Sequence, residues 1–317
     1  MMPVIDVERS MPRSGIRRLA SFSLTTPNAR QLSEFYQQAL NFRLLGIERR
    51  SGPDFDRLMG SEGGASAIVL GLGDEVVEFL EFDRPGRPYP DDTASSDLCF
   101  QHFAVVVADM RLGYQRLSAV AGWTAISTDG PQKLPASSGG VTAFKFRDPD
   151  GHPLELLAFA DGKSPERWTT RSKSGLFLGI DHSAIAVFDS ELSIAFYKAL
   201  GLRVAGRSFN TGSEQDRLDA LRAAEVEVTA LEVAATTPHI ELLCYRSAPR
   251  REKIVYRSRD VAATRMLFEA DGWPSEEAMQ PRALLDPDGH HLMIVASTNR
   301  LPRAQAIENS GSPGISL

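Results

Sequence analysis

Two turns in this chain are spelled almost alike. Asp148-Pro149-Asp150-Gly151-His152 returns 138 positions later as Asp286-Pro287-Asp288-Gly289-His290. Short apolar runs flank both, Phe144 to Phe146 and Leu154 to Phe159 around the first, Ala283 to Leu285 and Leu292 to Val295 around the second. Proline fixes φ at one turn position and glycine supplies the positive φ that closes it, so each reads as a strand–turn–strand hairpin. A hairpin repeated together with its flanks means an internally duplicated chain. In such a fold the chemistry is expected where repeats meet.

The repeat is finer than a halving. Leu19 to Leu24 reads as a strand, followed by an amphipathic helix from Ala29 to Leu40 and a strand from Asn41 to Leu45. Ile180 to Val187, Ser190 to Leu200 and Gly201 to Val204 repeat that order, with Phe35-Tyr36 and Phe196-Tyr197 at matching places on the helix face that packs on a sheet. Asp56-Arg57-Leu58 is echoed by Asp216-Arg217-Leu218. A second unit opens with His102 to Val107 and a helix from Met110 to Ala121. A fourth is expected to open near Ile254 to Arg257 with a helix from Val261 to Ala270, since Ala121-Gly122-Trp123 matches Asp271-Gly272-Trp273. Four βαβββ units is the economical reading.

Composition bounds the function. A chain of 317 residues is long enough for two domains, and a net charge of −6 with scattered basic residues leaves no footprint for nucleic acid. No apolar run approaches the roughly 20 residues of a membrane span, and Met1 to Gly15 lacks the apolar centre of a signal peptide, so a cytoplasmic protein is expected. Cys99 and Cys244 are too few for a disulfide framework and read as buried thiols. The proline-rich stretch from Asp83 to Asp97 connects the first two units, and the polar residues 161–176 join the halves. The domains are therefore 17–160 and 177–297, between tails at 1–16 and 298–317.

With these features in place, the paired units, the Phe-Tyr helix and the run from Phe146 to Leu156 resemble the vicinal oxygen chelate superfamily. That group includes glyoxalase I, extradiol dioxygenases, methylmalonyl-CoA epimerase and fosfomycin- and bleomycin-resistance proteins. The resemblance spans roughly residues 17 to 297. It implies an α+β, glyoxalase-like fold of two domains, each of two βαβββ units, whose curved mixed or antiparallel sheets form a cleft. It is specific for fold and weak for reaction.

In that family each unit offers up to two metal ligands, one at the start of its first strand and one on its last. Carried over, unit one has Ser21 and Glu78, unit two His102 and Glu155, unit three His182 and Glu241, and unit four Lys253 or a close neighbour and Met293. Only units two and three keep a full set. If those two pair, two neutral imidazoles and two carboxylates balance one divalent ion, Fe, Mn, Ni, Zn or Co. If consecutive units pair instead, the candidates are split. We favour two with three, which leaves Ser21, Glu78, Lys253 and Met293 lining a metal-free counterpart.

The residues themselves support this. His102 shares a strand face with Ala104 and Val106, and His182 with Ala184 and Ala186, which leaves room beside each ring. Glu155 and Glu241 sit inside apolar runs, where a carboxylate is costly unless paired or coordinated. The bland alternative for each glutamate is an outward-facing residue on a sheet with one wet face. His152, His290 and His291 read as turn or surface residues, and His239 as strand-end or supporting.

A fourth protein ligand takes a position that a catechol with dioxygen would need, and suits metal-assisted proton transfer with Glu155 or Glu241 as base. An isomerase, lyase or epimerase acting on a small oxygen-bearing metabolite is therefore expected, with an Fe(II) extradiol dioxygenase next and a ligand-sequestering protein third. The partner is a small molecule, with no nucleic acid and no membrane, and a homodimer is left open. Arg207, Phe209, Asn210 and Arg217 could hold substrate or form a solvated loop. Asp129 to Pro135 could form a lid or a plain connection.

Overall fold

A computed structural model describes residues 15–173, 175–233, 238–247, 253–271 and 281–296. Unit one runs β1 (Ile16–Thr25), α1 (Ala29–Leu40), β2 (Arg43–Arg50), α2 (Pro53–Met59), β3 (Ala65–Leu72), β4 (Glu75–Phe82). Unit two is β5 (Gln101–Val107), α3 (Met110–Ser118), β6 (Thr124–Ala125), β7 (Gln132–Lys133), β8 (Thr142–Arg147), β9 (Pro153–Ala158). A short helix α4 (Glu166–Arg171) leads to unit three, which has β10 (Phe177–Ala186), α5 (Ser190–Ala199), β11 (Arg203–Asn210), α6 (Ser213–Asp219), β12 (Val226–Glu232) and β13 (His239–Tyr245). Unit four contributes β14 (Arg265–Ala270), β15 (Arg282–Leu285) and β16 (His291–Ala296).

The strands form two mixed sheets, and the α+β, glyoxalase-like architecture is the one expected. One sheet has the order β15-β16-β14-β1-β4-β3-β2, the other β11-β12-β13-β10-β5-β9-β8-β6, with β7 on β8. Units one and four thus share a sheet through β1 and β14, and units two and three through β5 and β10, both antiparallel. Each sheet therefore draws strands from both sides of the expected division into residues 17–160 and 177–297.

Alternation decides which face each strand buries. Phe103, Val105 and Val107 of β5 and Ile180, Ile185 and Val187 at β10 join one large core with the helices and with β1. Within it Phe22 stacks on Phe103, ring centroids 5.2 Å apart, so the two sheets meet through these faces. The opposite faces carry Ala104, Val106, Ala184 and Ala186 together with His102 and His182, the two histidines lining a cleft. The helix α1 forms because Asn28 caps it, its side chain accepting from Gln31 N, and because Leu32, Phe35, Tyr36, Ala39 and Leu40 fall on one buried stripe.

The repeated turns staple the two sheets. Asp148 Oδ1 accepts from the backbone of Asp150 (2.9 Å) and His152 (3.0 Å), while Gly151 takes φ 95°. Tyr36 Oη donates to Asp148 Oδ2 (3.0 Å), and His152 Nε2 reaches Thr25 O of β1 (3.0 Å). The second turn repeats this with Tyr197 on Asp286 (3.2 Å) and His290 on Ala186 O of β10 (2.9 Å). His152 and His290 are therefore bonded as turn residues and buried rather than solvated. His291 is half-buried and bonds Tyr256 O.

Unit four corrects the sequence reading. Residues 254–257 form no strand, and the helix expected over Val261 to Ala270 is instead the strand β14 from Arg265, hydrogen-bonded between β1 and β16. Its apolar spacing suits either period, and pairing on both sides overrides local preference. Gly272 and Trp273, which set the alignment, and the tails at 1–14 and 297–317 lie outside the described residues. Two connections hold more than expected. Residues 161–176 include α4, whose Trp168 is fully buried, and β7 lies within the Asp129–Pro135 segment.

Candidate metal centre

His102, Glu155, His182 and Glu241 come together on the second sheet. Parallel pairing sets Glu155 beside Ala104, two residues beyond His102, and Glu241 beside Ala184, two residues beyond His182. Each histidine and glutamate of a unit thus project into the same cleft. His102, Glu155 and His182 each present a ligand atom within 4.8 Å of the other two. His102 Nε2 lies 3.1 Å from Glu155 Oε2, and His182 Nε2 lies 3.6 Å from Glu241 Oε2.

The donor set fits a divalent ion. Neither ring nitrogen of His102 has a hydrogen-bond partner among the described residues, although the ring is buried. Two ligand atoms each about 2.1 Å from one ion, at right angles, stand about 3.0 Å apart. The 3.1 Å contact has that spacing without the angle of a hydrogen bond. Burial lowers the pKa of His102 and keeps the ring neutral, the form that ligates. His182 is oriented by Asp181, whose Oδ2 lies 3.1 Å from Nδ1, so Nε2 faces the cleft.

The two carboxylates differ. The Glu155 side chain is 8 % exposed and Glu241 25 %. Burial pushes both pKa values up, but His102, Lys145 and His182 together bring Glu155 below its usual value, and His182 with His239 brings Glu241 down to about 2. His239 Nε2 stands 3.6 Å from Glu241 Oε1. Glu241 is therefore the more accessible and the less tightly gathered.

A cavity of about 340 Å³ opens over these residues. Asn210 lines it, whereas Phe209 is exposed and Arg207 pairs with Glu191 outside. Arg217 bonds Gln132 (2.7 Å), which ties α6 to β7, and Leu134 from the expected lid joins the wall. Four polar residues of this region were missed in the sequence. Lys145 Nζ bonds Asp219 (2.6 Å), as do Gln215 Nε2 (2.7 Å) and Tyr245 Oη (3.0 Å). Burial opposes charge on Lys145, but Asp219 outweighs it and raises its pKa. A lysine between Phe144 and Phe146, opposite Glu155, was the available signal.

The first sheet carries the counterpart positions. Ser21 and Glu78 hold the positions of His182 and Glu241, and Met293 that of Glu155. Lys253 is not at the fourth position. Its Nζ bonds Pro287 O (2.6 Å), and pairing of Leu267 with Met293 puts Arg265 where His102 stands. The buried guanidinium bonds Thr25 Oγ1 (2.8 Å), Ser258 O (2.7 Å) and Ser23 Oγ (3.3 Å).

Residues 18–156 match the model of the Glyoxalase/Bleomycin resistance protein/Dioxygenase superfamily. No curated protein matches the chain. Among solved structures, glyoxalase I from Zea mays is 19 % identical, with a TM-score of 0.54, covering 89 % of this chain and 93 % of that one. A single-substitution variant of the same enzyme is 18 % identical with a TM-score of 0.56, covering 93 % and 98 %. A provisionally assigned dioxygenase from Bacillus subtilis is 12 % identical with a TM-score of 0.53, covering 89 % and 86 %. At these identities the structural likeness speaks for the fold alone.

Proposed function

We propose that the chain, whose residues 18–156 match the model of the Glyoxalase/Bleomycin resistance protein/Dioxygenase superfamily, is a metal-dependent enzyme moving a proton on a small oxygen-bearing metabolite. The observation that carries this is the buried convergence of His102, Glu155 and His182, with the His102 ring left without a hydrogen-bond partner among the described residues. A divalent ion held there by these three, with Glu241 completing the set, would polarise a carbonyl of a substrate offering two neighbouring oxygens. Glu155, the more enclosed carboxylate, anchors. Glu241, more exposed and lightly held beside His239, takes the proton from carbon and returns it to the neighbouring carbon or to oxygen.

The test separates the two glutamates. Glu241→Gln should keep the metal found in the wild-type protein and lose turnover. Glu155→Gln, like His102→Ala or His182→Ala, should lose both. Turnover is sought with α-ketoaldehyde–thiol adducts and acyl-CoA epimers. Near-zero metal content, with no uptake of Ni, Zn, Mn or Fe(II) by the apo protein, would refute the reading.

One observation favours a second reading. Two histidines and one carboxylate, gathered more closely than Glu241, form the ligand set of oxygen-activating Fe(II) enzymes. Dioxygen uptake with a catechol and the Fe(II)-loaded protein, retained in Glu241→Gln, would put the dioxygenase first.

A further inference from the structure

We propose that the wall formed by Gln215, Asp219, Lys145 and Tyr245 recognises a hydroxyl group of the substrate, so that the metabolite is a hydroxylated carbonyl compound rather than a carboxylate. This rests on the chelating, metal-bound reading of the cleft and adds the substrate class to it.

Asp219 is buried behind the cavity and accepts from Lys145, Gln215 and Tyr245, all three of which line it. Because Gln215 must turn its NH₂ toward that carboxylate, its carbonyl is the atom left over, and the amide cannot be flipped without setting oxygen against oxygen. Gln215 Oε1 is buried and has no hydrogen-bond partner among the described residues. An unpaired buried acceptor is costly, and its cost is recovered when a ligand donates to it. Lys145 keeps further N–H donors beyond the one given to Asp219. A free acceptor beside free donors on one wall suits a group that both donates and accepts, which a hydroxyl does. A carboxylate only accepts. It would meet Gln215 Oε1 and Asp219 as repulsive neighbours, and the Lys145 charge that would draw it in is already paired.

The duplicated cleft provides an internal comparison. The helices α2 and α6 align through Asp56-Arg57-Leu58 and Asp216-Arg217-Leu218, which sets Phe55 opposite Gln215 and Met59 opposite Asp219. Strand register sets Ala283 opposite Lys145 and Phe82 opposite Tyr245. All four counterparts are apolar, and Phe55, Met59 and Phe82 pack into one cluster. The fold therefore closes this region without polar groups. A buried lysine–carboxylate pair is not a good route to stability when apolar packing is available. Among the described residues, the polar set accompanies His102 and His182 and has no counterpart on the first sheet.

The test uses metal-loaded protein and alkyl hydroxamates, which chelate through two neighbouring oxygens, with four- and six-carbon chains ending in methyl, hydroxyl or carboxylate. Titration calorimetry should show a hydroxyl-ended probe binding about tenfold or more tightly than its methyl isostere, with the carboxylate weakest. Gln215→Leu should remove that preference while still binding the methyl probe, which shows the fold and the metal intact. Gln215→Met, close in shape but without the acceptor, serves as a second variant and should remove it too. Equal binding of methyl and hydroxyl probes at both lengths overturns the proposal alone, as does tightest binding of the carboxylate. Failure of every hydroxamate to bind metal-loaded protein overturns it together with the chelating reading beneath it.

Discussion

Asp181→Asn should weaken metal binding without removing a ligand. Asp181 Oδ1 accepts from Arg167 Nη2 (2.7 Å) and Trp168 Nε1 (3.1 Å), while Oδ2 faces His182 Nδ1 at 3.1 Å. When His182 ligates an ion, Nδ1 carries the hydrogen and gives it to Asp181, and Nε2 turns its lone pair to the ion. An asparagine must keep its oxygen on the two donors from Arg167 and Trp168, so its NH₂ turns to His182. Nδ1 then has to accept, the hydrogen moves to Nε2, and the ligating lone pair is lost. Recovering it means breaking one buried hydrogen bond or turning an N–H against another. Loss of such a supporting carboxylate costs about 10- to 100-fold in metal affinity, or about 1.4–2.7 kcal/mol. The upper end is expected because Arg167 and Trp168 hold the amide in its unhelpful orientation. Competition of Zn or Ni with a calibrated chelator measures this, and circular dichroism checks the fold. A folded Asp181→Asn protein binding metal within threefold of wild type would refute the reasoning.

Two further predictions concern stability. Asp148→Asn breaks a buried group that bonds Tyr36 and faces both the backbone and the ring of His152. Burial opposes the imidazolium there but Asp148 outweighs it, so urea unfolding should show a loss of about 3–5 kcal/mol, and a loss below about 1 kcal/mol would show that His152 is not held as a cation. His291 provides the pH test, since burial and then Arg265 lower its pKa to about 4, below its unfolded value of about 6.5. Its stabilising contribution is present above pH 6.5 and lost as pH falls toward 4, which between pH 7 and 5 amounts to about 1–2 kcal/mol after allowing for partial exposure. His291→Gln should flatten that part of the stability curve, and an unchanged slope would refute it.

How much of this was legible in the sequence depends on where each signal lay. The hairpins, the α1 boundaries and the strand faces of His102 and His182 follow from local rules of turn chemistry and alternation, and local rules suffice there. Unit four failed because Val261 to Ala270 carries apolar residues at spacings that serve a helix or a strand, and only β1 and β16 decide between them. That error moved the fourth position from Arg265 to Lys253. Asp181 went unweighed as a supporting group because its bonds come from α4, inside what read as a linker, although a lone tryptophan in a polar stretch was a visible anomaly. Asp219 was out of reach, since its three partners come from separate elements and one of them from another unit.

The two clefts show how one scaffold can hold the same charge in different ways. Glu78 lies in the first cleft where Glu241 lies in the second, and each needs a cation to justify burying a carboxylate nearby. In the first cleft the chain supplies it. Burial lowers the Arg265 pKa to about 10, with Glu78 pulling the other way, which leaves the guanidinium charged at neutral pH, and Arg50 also binds Glu78 (2.9 Å). That cation is covalently part of the fold, and its donors are spent on Ser23, Thr25 and Ser258. It cannot open a position to a substrate oxygen. In the second cleft His102 replaces the arginine, and no fixed cation occupies its place. The Lys145 charge nearby is paired with Asp219, so an ion held by His102 and Glu155 would add charge of its own and keep positions open to a substrate oxygen. Substituting a guanidinium for an imidazole at one register position therefore separates a cleft that can only be structural from one that can bind and act.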